Sequence, residues 1–208
     1  MSSAACSLVV ATRNKKKLGE LLELLAPEGF ALQTLDDFPQ SIEVEETGET
    51  FAANAALKAC EQARVLKRWV LAEDSGLAVD ALGGAPGVYS ARFSGEGATD
   101  AKNNALLLEK LAHVPLEKRG AHYVCHAVLS DPAGNIRAEA VGRCYGRILP
   151  VAAGSGGFGY DPLFEVIEYH RTFGELAPAV KRAISHRARS MRLMLEQLRV
   201  LRQAGAFA

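Results

Sequence analysis

Residues 6–25 read CSLVVA, TRNKKK and LGELLELL in succession, and this stretch decides the fold class. Cys6 to Ala11 is a short apolar run that breaks at Thr12-Arg13-Asn14, so it reads as a buried strand entering a polar turn. From Lys16 the period changes. Leu18, Leu21, Leu22 and Leu25 recur at helical spacing, and Pro27 with Gly29 ends the run. Strand, loop, helix is the opening of an α/β protein, and the loop beyond the strand is where such folds hold ligands.

Further along, Thr50 suits the cap of a helix from about Phe51 to Leu66, whose alanines (Ala52, Ala55, Ala56, Ala59, Ala63) predict a close-packed neighbour. Trp69 to Ala72 is a second buried strand, ending at Glu73-Asp74-Ser75-Gly76. After a loop rich in glycine (Gly83, Gly84, Gly87), Thr99 or Asp100 starts a helix with Ala101, Ala105, Leu108 and Leu111 inward. Tyr123 to Leu129 and Ile136 to Tyr145 flank Asp131-Pro132-Ala133-Gly134-Asn135 as a β-hairpin, and Arg147 to Ala153 offers another strand. A long helix begins at Ser185 with Ala188, Met191, Leu195 and Leu198 on one face. There is no internal repeat and no low-complexity linker. Residues 1–208 therefore read as one α/β domain with scope for two lobes.

Apolar residues make up 49% of the 208 and charged residues 23%, which excludes wholesale disorder. Lys+Arg and Asp+Glu are both 24, and a zero balance argues against a protein that coats nucleic acid. The zero conceals separation. Residues 13–17 are basic; residues 36–50 hold Asp36, Asp37, Glu43, Glu45, Glu46 and Glu49 with no basic residue; from Lys181 onward seven basic residues face Glu196 alone. Cys6, Cys60, Cys125 and Cys144 are scattered without a C-x-x-C pair, as expected of reduced thiols. No stretch approaches 18 apolar residues, and the charges of Met1 to Lys17 follow the apolar run rather than precede it. The expectation is a cytoplasmic protein without a membrane partner.

Several segments are candidate sites. Thr12, Arg13, Asn14, Lys15, Lys16 and Lys17 gather positive charge at a helix start, against the macrodipole, which suits an anion or a plain solvated turn. Of the adjacent Glu73 and Asp74, one faces any given side of a strand, and with an acid from Glu43 to Glu49 it could hold Mg²⁺; a solvated turn is the alternative. Gly154-Ser155-Gly156-Gly157-Phe158-Gly159 fits G-x-G-x-x-G. Its dinucleotide reading requires a helix directly afterwards, and Pro162 disfavours one. His122 and His126 share one strand face while Cys125 takes the other, so the three do not converge on zinc. In the C-terminal basic stretch, Arg192, Arg199 and Arg202 belong to the solvent face, whereas Lys181, His186 and Arg187 precede or start the helix. A nucleic-acid surface is the rival reading of that stretch.

Five blocks in order resemble one family, the inosine/xanthosine triphosphate pyrophosphatases, or HAM1-type non-canonical purine nucleoside triphosphate pyrophosphatases. They are Ala11-Thr12-Arg13-Asn14 with Lys17; Glu45-Glu46-Thr47-Gly48 with Thr50-Phe51 and Asn54-Ala55; Asp74-Ser75-Gly76-Leu77 with Gly83-Gly84-Ala85-Pro86-Gly87 and Tyr89-Ser90-Ala91-Arg92; Gly156-Gly157-Phe158-Gly159-Tyr160-Asp161-Pro162; and Ser185-His186-Arg187. The similarity runs from Val9 to about Leu198. Arg13 departs from it, standing where the family usually has glycine and supplying charge instead of bare backbone.

The resemblance implies an elongated mixed sheet flanked by helices, in two lobes with a central substrate cleft. It further implies Mg²⁺, a homodimer, and hydrolysis of ITP, dITP and XTP to monophosphate and pyrophosphate, which cleanses the nucleotide pool of deaminated purines. By the same resemblance Asp74 is the catalytic carboxylate and, with Glu45 (Glu46 as the alternative), the metal ligand. Thr12, Asn14, Lys17 and Ser75 contact phosphate or sugar, and Lys181 is a phosphate or base-side cation. Base choice falls to Phe158-Gly159-Tyr160-Asp161 and His186-Arg187. An aromatic face such as Phe158 stacks on any base, and a donor-only arginine suits a 6-keto oxygen where adenine would present an amino group.

Overall fold

The computed structural model describes residues 6–207. The chain divides into two compact units: the first comprises residues up to Asp74, Cys125–Gly142 and Arg187 onward, the second Ser75–Val124 and Arg143–His186.

In the first unit the opening stretch folds as strand β1 (Ser7–Val10), a turn, and helix α1 (Lys15–Leu25). Strand β2 (Ala31–Thr34) runs parallel to β1 on one side, and strand β3 (Val70–Val79) runs parallel on the other. Leu8, Val9 and Val10 make β1 apolar at successive positions because both of its faces are covered. Leu8 and Val10 pack with Leu21 and Leu25 of α1 and with Met191, Met194, Leu195 and Leu198 of the closing helix α5 (His186–Gln203). Val9 and Ala11 pack on the opposite side with Ala55, Ala59, Ala63 and Leu66 of helix α2 (Phe51–Leu66). The alanines of α2 thus do bring it close to its neighbours. Thr50 caps α2, its hydroxyl accepting from the Ala53 amide at 3.1 Å.

The second unit contains the far ends of β3, of strand β4 (Gly120–Ser130) and of strand β5 (Ile136–Ile148), then strands β6 (Phe164–Val166) and β7 (Arg171–Thr172) in antiparallel succession. The hydrogen-bonding order of the strands is β2-β1-β3-β4-β5-β6-β7, a mixed sheet. Helix α3 (Asp100–Lys110) and the short helix α4 (Pro178–Ile184) complete this unit. Its core is built from Leu77, Val79, Leu107, Leu111, Tyr123, Ile148, Phe164 and Phe173.

Three expectations need correction. β3 does not stop at Glu73 but continues to Val79, because Leu77 and Val79 find a second apolar core beyond the carboxylates. No separate strand forms over Arg147–Ala153; β5 extends to Ile148 and then leaves the sheet. α3 buries Asn103, Leu107 and Leu111, whereas Ala101 and Ala105 are exposed: two leucines four residues apart set the inward face.

Candidate active site

Within the first unit, β3 presents Glu73 and Asp74 to opposite sides, as the pleat requires. Asp74, 5% exposed, accepts from Asn54 Nδ2 at 3.3 Å and pairs with Lys58 Nζ at 3.1 Å. The same ammonium lies 2.9 Å from Glu46. Both partners come from α2, one turn apart, and so share a face. Asn54 Oδ1 in turn accepts from the Gly48 amide at 2.8 Å. A side chain at Gly48 would stand 2.6 Å from that oxygen, so the Glu45-Glu46-Thr47-Gly48 block needs its glycine for close approach to the helix. The result delivers Glu46, rather than the exposed Glu45, to the cation that holds Asp74.

Burial pushes the Asp74 carboxyl above its usual range, against the pull of Lys58 and Lys17. Burial also disfavours the Lys58 ammonium, but Asp74, Glu46 and Glu73 more than offset this and hold its pKa above the ordinary lysine value. Lys58 and Asn54 have no counterpart among the residues singled out as site candidates. Asn54 stood within a family block, and its spacing of four from Lys58 on the α2 face was the available signal.

On the other side of β3, Glu73 is 2% exposed and gathers three partners. Lys17 Nζ lies 3.2 Å from Oε1, Arg187 Nη2 lies 3.4 Å from the same oxygen, and the Cys125 thiol donates to Oε2 at 3.4 Å. Arg187 also pairs with Glu20 of α1. At 1% exposure it is the largest fully buried side chain among the described residues, its charge sustained against burial by Glu73 and Glu20. Arg187, to which the resemblance gives a part in base choice, is buried beside the Glu73 and Glu20 carboxylates. Burial also pushes the Cys125 thiol up, so it stays a protonated donor.

The basic turn is ordered by its own side chains. Thr12 Oγ1 accepts from the Asn14 amide at 3.2 Å, and Asn14 Oδ1 caps α1 by accepting from Lys16 N and Lys17 N at 3.0 and 3.1 Å. Arg13 turns to the acidic segment, donating to Ser41 Oγ and the Ile42 carbonyl. Lys15 and Lys16 are exposed.

A second group of predicted residues assembles in the other unit, where Ser75 also lies. Asp161 Oδ2 accepts from Lys181 Nζ at 2.7 Å and from the Phe158 amide at 2.8 Å, and Asp161 is also hydrogen-bonded by the Tyr123 hydroxyl. Lys181, 9% exposed, places its ammonium 4.6 Å from the Phe158 ring centroid. His186 stacks on Tyr123 at 4.7 Å, and the Tyr160 hydroxyl donates to the Ser90 carbonyl at 2.8 Å. No helix follows Gly159; turns lead into β6, so the dinucleotide reading fails on its structural requirement. Gly154 packs directly on the Gly174 backbone and Gly157 on Asp161, which explains the glycines as close-approach positions.

A mixed α/β sheet whose strand presents a buried carboxylate beside acidic and cationic partners is the arrangement of a candidate active site. Residues 8–197 match the model of the Ham1 family, and the chain belongs to that family. It is 56% identical to the dITP/XTP pyrophosphatase of Rhodopirellula baltica over 199 residues, covering 96% of each chain, and 50% identical to that of Geobacter sulfurreducens, covering 92% and 96%. Among solved structures it is similar to the HAM1 protein from Coxiella burnetii, with a TM-score of 0.86, 36% identity, and coverage of 93% of this chain and 98% of that one.

Proposed function

We propose that the chain hydrolyses dITP, XTP and ITP to the nucleoside monophosphate and pyrophosphate, removing non-canonical purines before they enter nucleic acid. The Ham1 family membership makes it a nucleoside triphosphate pyrophosphatase. The observation that carries the chemistry is Asp74, buried and joined to Glu46 through one lysine.

Two carboxylates with no soft ligand beside them suit Mg²⁺, which binds one or two carboxylates and completes its shell with water and phosphate oxygens. Among the described residues there is no cluster of three or more His, Cys, Asp or Glu that would form an all-protein cage, as fits a site completed by substrate. Asp74 and Glu46 would hold the ion, which supplies charge neutralisation and orientation of the triphosphate. Asp74 orients the attacking water and accepts its proton. Lys58 balances the carboxylate pair, and Lys17, kept in place by Glu73, supplies a cation for phosphate oxygens. Thr12 and Asn14 fix the turn from which the Lys15 and Lys16 side chains face solvent, with Ser75 as a further hydroxyl donor.

Purine selection is assigned to Phe158–Asp161 with Lys181 and His186: the Phe158 ring stacks, and the loop's backbone groups read the base edge. Arg187, paired with Glu20 and Glu73, belongs to the same assignment as a donor to a 6-keto oxygen. Four cysteines outside any disulfide support a reducing, cytoplasmic setting. No helix among the described residues is long and apolar enough to cross a membrane. The homodimer belongs to the same proposal and rests on the family resemblance. The assignment of Glu46 is tested by the Mg²⁺ dependence of turnover. Glu46→Gln raises the Mg²⁺ concentration required, whereas Glu45→Gln leaves it near the parent value; the reverse pattern would return the metal to Glu45.

A further inference from the structure

Helix α3 carries two side chains that the base-site assignment does not use. Asp100 and Asn104 are four residues apart and project from one face. Both reach the backbone of a single residue. The Gly159 amide donates to Asp100 Oδ2 at 3.0 Å, and Asn104 Nδ2 donates to the Gly159 carbonyl at 3.0 Å. Gly159 sits at φ +62°, with nothing within 4 Å of where a Cβ would stand, so hydrogen bonds rather than side-chain packing hold it.

The clamp is itself anchored. Asn103, 3% exposed, accepts from the Ser94 amide and hydroxyl at 2.8 Å each and donates to the Ala91 carbonyl at 3.2 Å, which ties α3 to the 90–94 segment. Tyr160 bonds the same segment through its hydroxyl to Ser90, and the Phe158 amide donates to Asp161, so each neighbour of Gly159 has one anchor and the clamp fixes the backbone that links them. Gly159 is the joint between them. Asn104 Oδ1 is buried and accepts no hydrogen bond from the described residues, which is disfavoured in a role of packing alone.

We propose that Asp100 and Asn104 are positioning residues for purine selection, setting through Gly159 the direction of the Phe158 ring and of the backbone that reads the base. This rests on the assignment of residues 158–161 to the base. Discrimination built on hydrogen bonds to a base edge fails when those groups move by a fraction of an ångström, so the holder of the joint controls the selectivity.

The test measures kcat and KM separately for ITP, XTP, GTP and ATP in Asp100→Ala, Asp100→Asn and Asn104→Leu, with Phe158→Ala beside them. The expected result is a rise in KM for ITP of about tenfold in Asp100→Ala and Asn104→Leu, with a similar narrowing of the ITP/ATP ratio of kcat/KM and a smaller change in kcat. Asp100→Asn keeps an acceptor oxygen on the same stem and recovers most of the ratio. If Asn104→Leu fails to fold, Asn104→Asp, equal in size but repelled by the Gly159 carbonyl, gives the same reading. Equal losses for all four nucleotides, or no recovery in Asp100→Asn, would overturn the clamp. If Phe158→Ala shifts the ratios and the clamp variants do not, the clamp alone is wrong. If Phe158→Ala also leaves them unchanged, the loop is not the base site and both readings fall.

Discussion

Two adjacent residues on β3 divide the work of the first unit. Asp74 faces Lys58 and Asn54, and Glu73 faces Lys17, Cys125 and Arg187. A buried carboxyl with a raised pKa binds its proton more tightly folded than unfolded, so its contribution to stability is complete at low pH and is lost as pH rises through the raised value. Asp74→Asn is accordingly expected to fold, and its Tm relative to the parent to increase from about pH 4 to pH 7 while turnover is abolished. Calorimetry across that range checks the first expectation and pyrophosphate release the second; a relative Tm that falls with pH would contradict the assignment. Arg187 differs in kind. Arg187→Ala leaves the buried Glu73 and the half-buried Glu20 without their shared cation and should cost about 3–5 kcal/mol of unfolding free energy, with Arg187→Lys recovering part of it. Denaturant unfolding decides this, and a loss within about 0.5 kcal/mol would show that the pair carries little.

Among the elements, those whose period or capping is strong were legible from sequence. The apolar run of β1, the leucine spacing of α1, Thr50 at the start of α2, the hairpin turn at Asp131–Asn135 and the inward face of α5 all follow local rules. The misses have tertiary causes. β3 continues through Glu73 and Asp74 because their charges are matched by Lys58, Lys17 and Arg187 from distant positions, which no local rule reveals. In α3 the buried Asn103 is satisfied by the 90–94 segment, so a polar residue takes an inward position that sequence reading gave to alanine. The corrected face is testable. Leu107→Ala should lose about 2–5 kcal/mol by opening a cavity, whereas Ala105→Ser should change stability by less than about 0.5 kcal/mol. Urea unfolding of the two variants compares them, and equal losses would restore the alanine face. The role of Lys58 is illegible in sequence for the same reason as the strand: a lone lysine on an alanine-rich helix reads as a solvated side chain until Glu46 and Asp74 are placed around it.

For the molecule as a whole, the zero net charge is a sum of opposed local fields. The acidic segment contributes Glu46 to the proposed metal pair, the basic turn contributes Lys17, and part of the C-terminal basic stretch is neutralised within the fold, as in the double contact of Arg199 with Glu28. Such a distribution suits a small, metal-chelated polyphosphate better than a long polyanion. The most direct measurement is therefore a product analysis with ITP, XTP, dITP, GTP and ATP at equal concentration, with and without Mg²⁺. The account predicts Mg²⁺-dependent formation of monophosphate and pyrophosphate, fastest for the three non-canonical nucleotides. Release of inorganic phosphate in place of pyrophosphate, or equal rates for ITP and ATP, would contradict it.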